Sequence, residues 1–300
     1  MATSTVLKKL SMVAAGAAIL AFSSAFTTTQ KADAAPAQSG AVRSGFNSTQ
    51  LPRNDDGSTG AVNIGFTTNF FGRDFNQLFV NNNGNVTFGR SLSSFTPFGL
   101  TGNTAVPIIA PFFADVDTRN PDSGITAYGT GTVDGHNAFG ATWNNVGYYS
   151  YNASHLNSFQ TVLIDRSDTG AGNFDIEFNY DQINWESGTA SGGNSNGLGG
   201  SSARAGFSNG TGATGSFFEL TGSGVNGAFL NGGSNALRSN SLNSDVNGRY
   251  VFSARNGTVV QAPTSVPEPA SILGLFAVGA MGTASTALKR KQQQKVATKV

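Results

Sequence analysis

The stretch FDIEFNY, residues 174–180, alternates an apolar or aromatic side chain with a polar one at every step. Successive side chains of a strand point to opposite faces, so Phe174, Ile176, Phe178 and Tyr180 share one face and Asp175, Glu177 and Asn179 the other. The pattern predicts a β-strand with one buried and one solvated face. Similar runs surround it: FQTVLI (159–164) and RYVFSA (249–254) read as further strands. NNNG (81–84), between LFV and NVTF, reads as a hairpin turn, because Asn and Gly tolerate positive φ. No long 3.6-residue stripe appears between the chain ends, while 39 Gly supply turns and 23 Phe supply aromatic bulk. The expectation is a mainly β chain, folded as an antiparallel, sandwich-like single domain.

Both ends of the 300-residue chain break this pattern. Lys8 and Lys9 precede a largely apolar stretch, Leu10 to Phe26, and Ala32-Asp33-Ala34 offers the small-x-small pattern that signal peptidase reads. A signal peptide over 1–34 is expected, with Ala35 as the mature N-terminus; an uncleaved N-terminal anchor is the alternative. At the other end no residue from Ala270 to Leu288 is charged. At about 1.5 Å rise per residue this is a helix of about 28 Å, against a hydrocarbon core of about 30 Å. Lys289, Arg290 and Lys291 follow, with Lys295 and Lys299 behind, and such residues favour the cytoplasmic side. A transmembrane helix over 270–288 with a basic cytoplasmic tail, 292–300, is therefore expected, with the body facing outward.

The charge also divides by region. Lys8, Lys9 and Lys31 precede Ala35 and five basic residues follow Leu288, leaving ten arginines, no lysine and fifteen acidic residues between. A body of net negative charge offers no clustered positive patch for a phosphate backbone, so nucleic acid is not expected as a partner. Cysteine is absent. Thiol nucleophiles, redox motifs and zinc-thiolate sites are excluded, and an exported body must be held by its core rather than by disulfides.

Chemistry-bearing residues are few. Within APFFADVDTRNPDSG (110–124), Asp115, Asp117, Asn120 and Asp122 place four oxygen donors in eight residues, a supply suited to Ca²⁺. The EF-hand pattern fails, since Arg119 stands at the third ligand position and no glutamate follows at the required distance. The other reading is a strand end whose aspartates cap turns and pair with Arg119. GNSNG (193–197) lacks the strand and helix of a nucleophile elbow, and GTGATG (210–215) lacks a βαβ context and reads as a hairpin loop. His136 and His155 match no metal motif and belong on turns or surface. Asp175 and Glu177, about 6–7 Å apart on one strand face, read as solvating residues rather than a glycosidase pair. In TWNNVGYYSYN (142–152), Trp143 reads as core, whereas Tyr148, Tyr149 and Tyr151 are candidate rings for stacking on sugars. No catalytic residue and no cofactor besides Ca²⁺ is expected.

Two resemblances organise these observations. Val266-Pro267-Glu268-Pro269, an apolar helix and then Lys289-Arg290-Lys291 resemble the PEP-CTERM sorting signal of Gram-negative bacteria and cyanobacteria, here over 266–291. That resemblance implies a temporary membrane anchor recognised by an exosortase, and release toward extracellular polysaccharide or biofilm matrix. A permanent single-span anchor is the alternative. The ordered blocks FFGRDFNQLFVNNNGNVTFG, IIAPFFADVDT, FGATWNNVGYY, NSFQTVLI, FDIEFNYDQINWESG, ARAGFSNGTGATGSFFELTGSG and SNSLNSDVNGRYVFSA resemble the nidogen-like (NIDO) extracellular domain. They place that domain at 61–255, between linkers at 35–60 and 256–265. SGTASGGNSNGLGGSS (187–202) departs from the pattern as an insertion expected to be a flexible surface loop, and the cysteine-rich modules of animal proteins with this domain are missing. The resemblances imply an exported, non-enzymatic adhesion or extracellular-matrix protein whose partners are signal peptidase, an exosortase and extracellular polysaccharide or matrix protein. A carbohydrate-binding module attached to exopolysaccharide is the alternative.

Overall fold

A computed structural model describes residues 40–260, and in it the alternating stretch at 174–180 lies in the tenth of fourteen strands. In chain order these are β1 (Thr49–Gln50), β2 (Val62–Phe70), β3 (Arg73–Asn81), β4 (Asn85–Thr87), β5 (Ile108–Phe113), β6 (Val116–Asp117), β7 (Thr126–Val133), β8 (His136–Tyr148), β9 (Asn152–Asp165), β10 (Phe174–Gln182), β11 (Arg204–Ser208), β12 (Phe217–Glu219), β13 (Arg249–Arg255) and β14 (Thr258–Val260). They form two antiparallel sheets. One runs β1-β7-β8-β9-β10-β13-β14, with β6 also paired to β8; the other runs β12-β11-β5-β4-β3-β2.

Most of the buried apolar side chains face one core that the two sheets share. Phe112 of β5 meets Phe159 of β9 at 5.1 Å between ring centroids, and Phe207 of β11 meets Phe252 of β13 at 5.3 Å. Phe70 of β2 likewise approaches Phe174 of β10 at 6.3 Å. A fully buried aromatic contributes about 1.5–3 kcal/mol of transfer free energy, so this aromatic seam takes the place that disulfides hold in many exported domains. The NNNG turn joins β3 to β4 as expected, and Gly84 is needed there: its φ is +75°, and a Cβ would stand 1.8 Å from the Phe112 carbonyl oxygen.

The solvated face expected for β10 is covered. Asp175, Glu177 and Asn179 are buried: Arg166 and Arg255 pair with Asp175, and residues 41–51, expected to belong to a linker, lie across the outer face of the larger sheet at Glu177. Arg43 pairs with Glu177 at 2.6 and 2.9 Å, and Gln160 of β9 bonds the Arg43 backbone at both N–H and carbonyl. Phe46 lies over Gly140 of β8, where a Cβ would be 2.4 Å from its ring, and β1 pairs with β7. Phe46, Val133, Ala138, Val162 and Ile164 make a small second core on this outer side.

Two further expectations differ from the structure. The residues 256–260 assigned to a second linker belong to the turn and strand that end the larger sheet. The 187–202 insertion is bonded to itself and to its surroundings: Glu186 and Ser187 both donate backbone N–H to the Gly197 carbonyl, and Ser201 to that of Ser191. Its glycines allow the close approaches that a tight fold-back requires. Among the described residues no helix is long and apolar enough to cross a membrane. The expected signal peptide with Ala32, Ala34 and Ala35 lies outside the described residues. So do Val266, Pro267, Glu268, Pro269, the helix at 270–288, and Lys289, Arg290 and Lys291.

Candidate functional site

The polar centre of the molecule begins at the loop Asn54-Asp55-Asp56-Gly57. The Asn54 side-chain oxygen accepts the Gly57 N–H at 2.6 Å, an Asx turn that holds both aspartates in a bend. Asn54 and Thr118 exchange hydrogen bonds, and Arg53 donates to the carbonyls of Thr118, Asn120, Pro121 and Ser123, so this loop is fixed to the segment after β6. From below, the NNNG hairpin bonds both. Asn82 donates to the carbonyls of Asp55 and Val116, while Asn83 donates to Asp56 Oδ1 at 2.8 Å and to Ser94 O, and accepts from Val116 N–H.

Asp115, between β5 and β6, completes the cluster. Its side chain is buried, and one oxygen each from Asp55, Asp56 and Asp115 lie within 4.8 Å of one another. Asp115 Oδ2 accepts a hydrogen bond from Ser191 Oγ at 3.2 Å, and Gly188 packs so closely that a Cβ there would be 2.4 Å from Oδ2. Asp115 Oδ1 and Asp55 Oδ1 are buried without a hydrogen-bond partner. Burial, and then the neighbouring Asp55 charge, pushes the Asp115 carboxyl up to about 7. Burial also pushes Asp55 up to about 6, helped by Asp117 and Asp56 and opposed by Arg119.

Of the four oxygen donors expected to act together, only Asp115 is in this cluster. Asp117 is also buried, and burial alone would raise its carboxyl. Hydrogen bonds from Arg119 at 2.6 and 2.9 Å and from the Tyr151 N–H outweigh that and hold it below the usual range. Asn120 donates to the Tyr151 carbonyl and accepts from Asp122 N–H, and Asp122 is exposed. Asp117 is thus held by Arg119, and Asn120 and Asp122 by a hydrogen bond within their own turn. Arg119 also reaches Asp55 at 2.9 Å, so a single guanidinium serves both carboxylates.

The three candidate tyrosines are divided between core and surface. A bulge in β8 between Trp143 and Val146 inserts an extra residue, which turns Tyr148 inward beside Trp143. Tyr148 is buried on Trp185 at 5.2 Å, its hydroxyl donating to the Ser195 carbonyl. Tyr149 and Tyr151 lie over the Arg119 guanidinium, at 5.8 and 4.4 Å from ring centroid to carbon, and Tyr151 is exposed. Asp55 and Asp56 escaped sequence reasoning because they lie in a stretch assigned to a linker; the adjacent acids followed by glycine, Asp55-Asp56-Gly57, were the available signal.

Residues 76–256 match the family model described as nidogen-like domain, and residues 265–291 match that of the PEP-CTERM protein-sorting motif. The chain is similar to alpha-tectorin of Mus musculus, 38% identical over 182 residues, which covers 51% of this chain and 8% of that protein. It is also similar to nidogen of Drosophila melanogaster, 29% identical over 193 residues, covering 55% of this chain and 13% of that one. The chain thus spans only a small part of the length of these relatives. No solved structure matches. The two matched models together point to an extracellular or cell-surface protein and to an exosortase-sorted substrate.

Proposed function

The chain belongs to the nidogen-like domain family, and on that premise we propose that it is an exported, non-enzymatic adhesion or extracellular-matrix protein, delivered through its PEP-CTERM motif. The observation that carries this reading is the order of parts. The two-sheet domain ends with β14 at Val260, and the sorting motif begins at residue 265. A tail of that kind presents the domain outside the membrane and then frees it. The surface chemistry supports the reading. Six of the ten arginines, Arg43, Arg119, Arg166, Arg204, Arg249 and Arg255, are paired with carboxylates, which leaves little positive surface for nucleic acid. Of the three rings named for the carbohydrate-binding alternative, Tyr148 is buried, whereas Tyr149 is half-buried and Tyr151 exposed.

The test is retention of the mature protein on the producer's own extracellular matrix, before and after the matrix is treated with protease or with glycosidases. Retention above that of an unrelated acidic protein, lost on one treatment, is expected and identifies the class of partner. No retention on any fraction, or release of new reducing ends from the matrix, overturns the reading.

A further inference from the structure

We propose that Asp55, Asp56 and Asp115 bind a divalent cation, Ca²⁺, which joins two separate segments of the chain and, through Ser191 on Asp115, a third. Three carboxylates share a space in which one oxygen from each lies within 4.8 Å of the others. Among the described residues the only guanidinium paired with the trio is Arg119, and it bonds Asp117 as well. The independent observation is the state of the oxygens. Asp115 is 1% exposed, its Oδ2 is bonded to Ser191, and its Oδ1 has no donor; Asp55 Oδ1 is buried without one too. A buried polar atom without a partner is costly, and a second such atom on a carboxylate of the same cluster is best explained by something the two hold in common.

The chemistry of that occupant follows from the donors. All are oxygens, with no imidazole or thiolate in the cluster, and so suit a hard cation rather than zinc or copper. With Asp117 balanced by Arg119, three negative charges remain, and a dication reduces them to one. Ca²⁺ is favoured over Mg²⁺ because it accepts irregular coordination by six to eight oxygens, whereas Mg²⁺ demands near-ideal octahedral geometry and gives up its water reluctantly. The donors come from the Asx turn at 54–57 and from the β5–β6 junction, and Ser191 carries the insertion at 187–202 to the same carboxyl. A cation here therefore fastens the N-terminal loop and the inserted loop to the core of the sandwich.

The experiment is thermal unfolding and calorimetric titration of the mature protein in EDTA, in Ca²⁺ and in Mg²⁺. Expected is a Tm rise of about 5–10 °C in millimolar Ca²⁺, a smaller one in Mg²⁺, and one site by titration. Asp115→Asn and Asp56→Asn should each remove the Ca²⁺ shift, whereas Asp122→Asn should leave it intact. Asp56, only half-buried, provides the measurement if Asp115→Asn does not fold. Equal Tm in EDTA and Ca²⁺ with no titration heat overturns the proposal. So does a Ca²⁺ shift that survives Asp56→Asn and Asp115→Asn but is lost in Asp122→Asn, which would place the ion elsewhere.

Discussion

Replacing Arg43 by Met tests whether the segment 41–51 is part of the domain or an appendage to it. Glu177 is 1% exposed in its side chain and Arg43 23%, and the two meet through two charge-assisted hydrogen bonds of 2.6 and 2.9 Å. Removing one partner of a buried ion pair costs about 3–5 kcal/mol, because the other charge stays behind. Glu177 would keep Asn179 at 2.7 Å and Arg249 at 3.4 Å, so the lower end, about 3 kcal/mol, applies here. Arg249 is a weak replacement, since its Nε stands 3.4 Å from Glu177 and also donates to Asn179. For a domain of this size about 3 kcal/mol corresponds to a Tm loss of roughly 6–12 °C. Urea unfolding should show a lower midpoint with an unchanged slope. A cycle with Glu177→Gln should give a coupling above about 1 kcal/mol, since the double variant no longer buries a lone charge. A loss below about 0.5 kcal/mol, the value of an exposed pair, or an additive cycle would show that the strap is not seated on the sheet.

Three further outcomes are expected. Gly84→Ala must adopt φ +75° and drive its methyl against the Phe112 carbonyl, so it should lose more than about 3 kcal/mol in urea unfolding. Gly89→Ala, with φ +81° and open space around it, should lose only about 1 kcal/mol, and equal losses would refute the steric account. In alkali, burial pushes Tyr250 up to about 12 and Tyr180 upward as well, so the fold keeps protons that the unfolded chain releases near 10. The stability this gives is complete below pH 10 and lost as pH rises through 12, about 3 kcal/mol for Tyr250. Phenolate absorbance should show two phenols ionising only as the circular dichroism of the fold disappears; a folded protein with every phenol ionised would contradict this. Finally, intact mass of the exported protein should lack residues 1–34 and the helix at 270–288 with its basic end, and Lys295 or Lys299 peptides in the extracellular fraction would contradict exosortase release.

Strand β10 was legible because period-two alternation is a local property of seven residues. The cover on its outer face was not, since Arg43 lies 134 positions from Glu177 and no spacing rule connects them. The same limit applies to the site. Asp115 stood out in an acid-rich run, but its companions Asp55 and Asp56 are supplied by a loop some sixty positions earlier. Tyr148 was misplaced for a different reason. In an unbroken strand Trp143 and Tyr148 point to opposite faces, and the bulge at Asn144 and Asn145, where Asn145 has φ +53°, reverses that parity. Period counting cannot anticipate an inserted residue. The pairing of Asp117 with Arg119 was legible because both groups lie within one turn.

The grip on Asn83 bears on how long the protein lasts once it has left the cell. An Asn-Gly pair is the sequence most prone to deamidation, in which the glycine nitrogen attacks the asparagine side-chain carbonyl and ammonia leaves. At Asn83-Gly84 that nitrogen donates its hydrogen to the Asn82 carbonyl, and the Asn83 amide is fastened to Asp56, Ser94 and Val116. The side chain would have to break all three contacts before it could rotate into the path of attack. A carboxylate formed at this position would also face Asp56 with a like charge in place of a donor. Asn256-Gly257, in the turn between β13 and β14 with Asn256 exposed, has no such burial. Chemical ageing should therefore begin at the rim of the sandwich and reach the carboxylate cluster last.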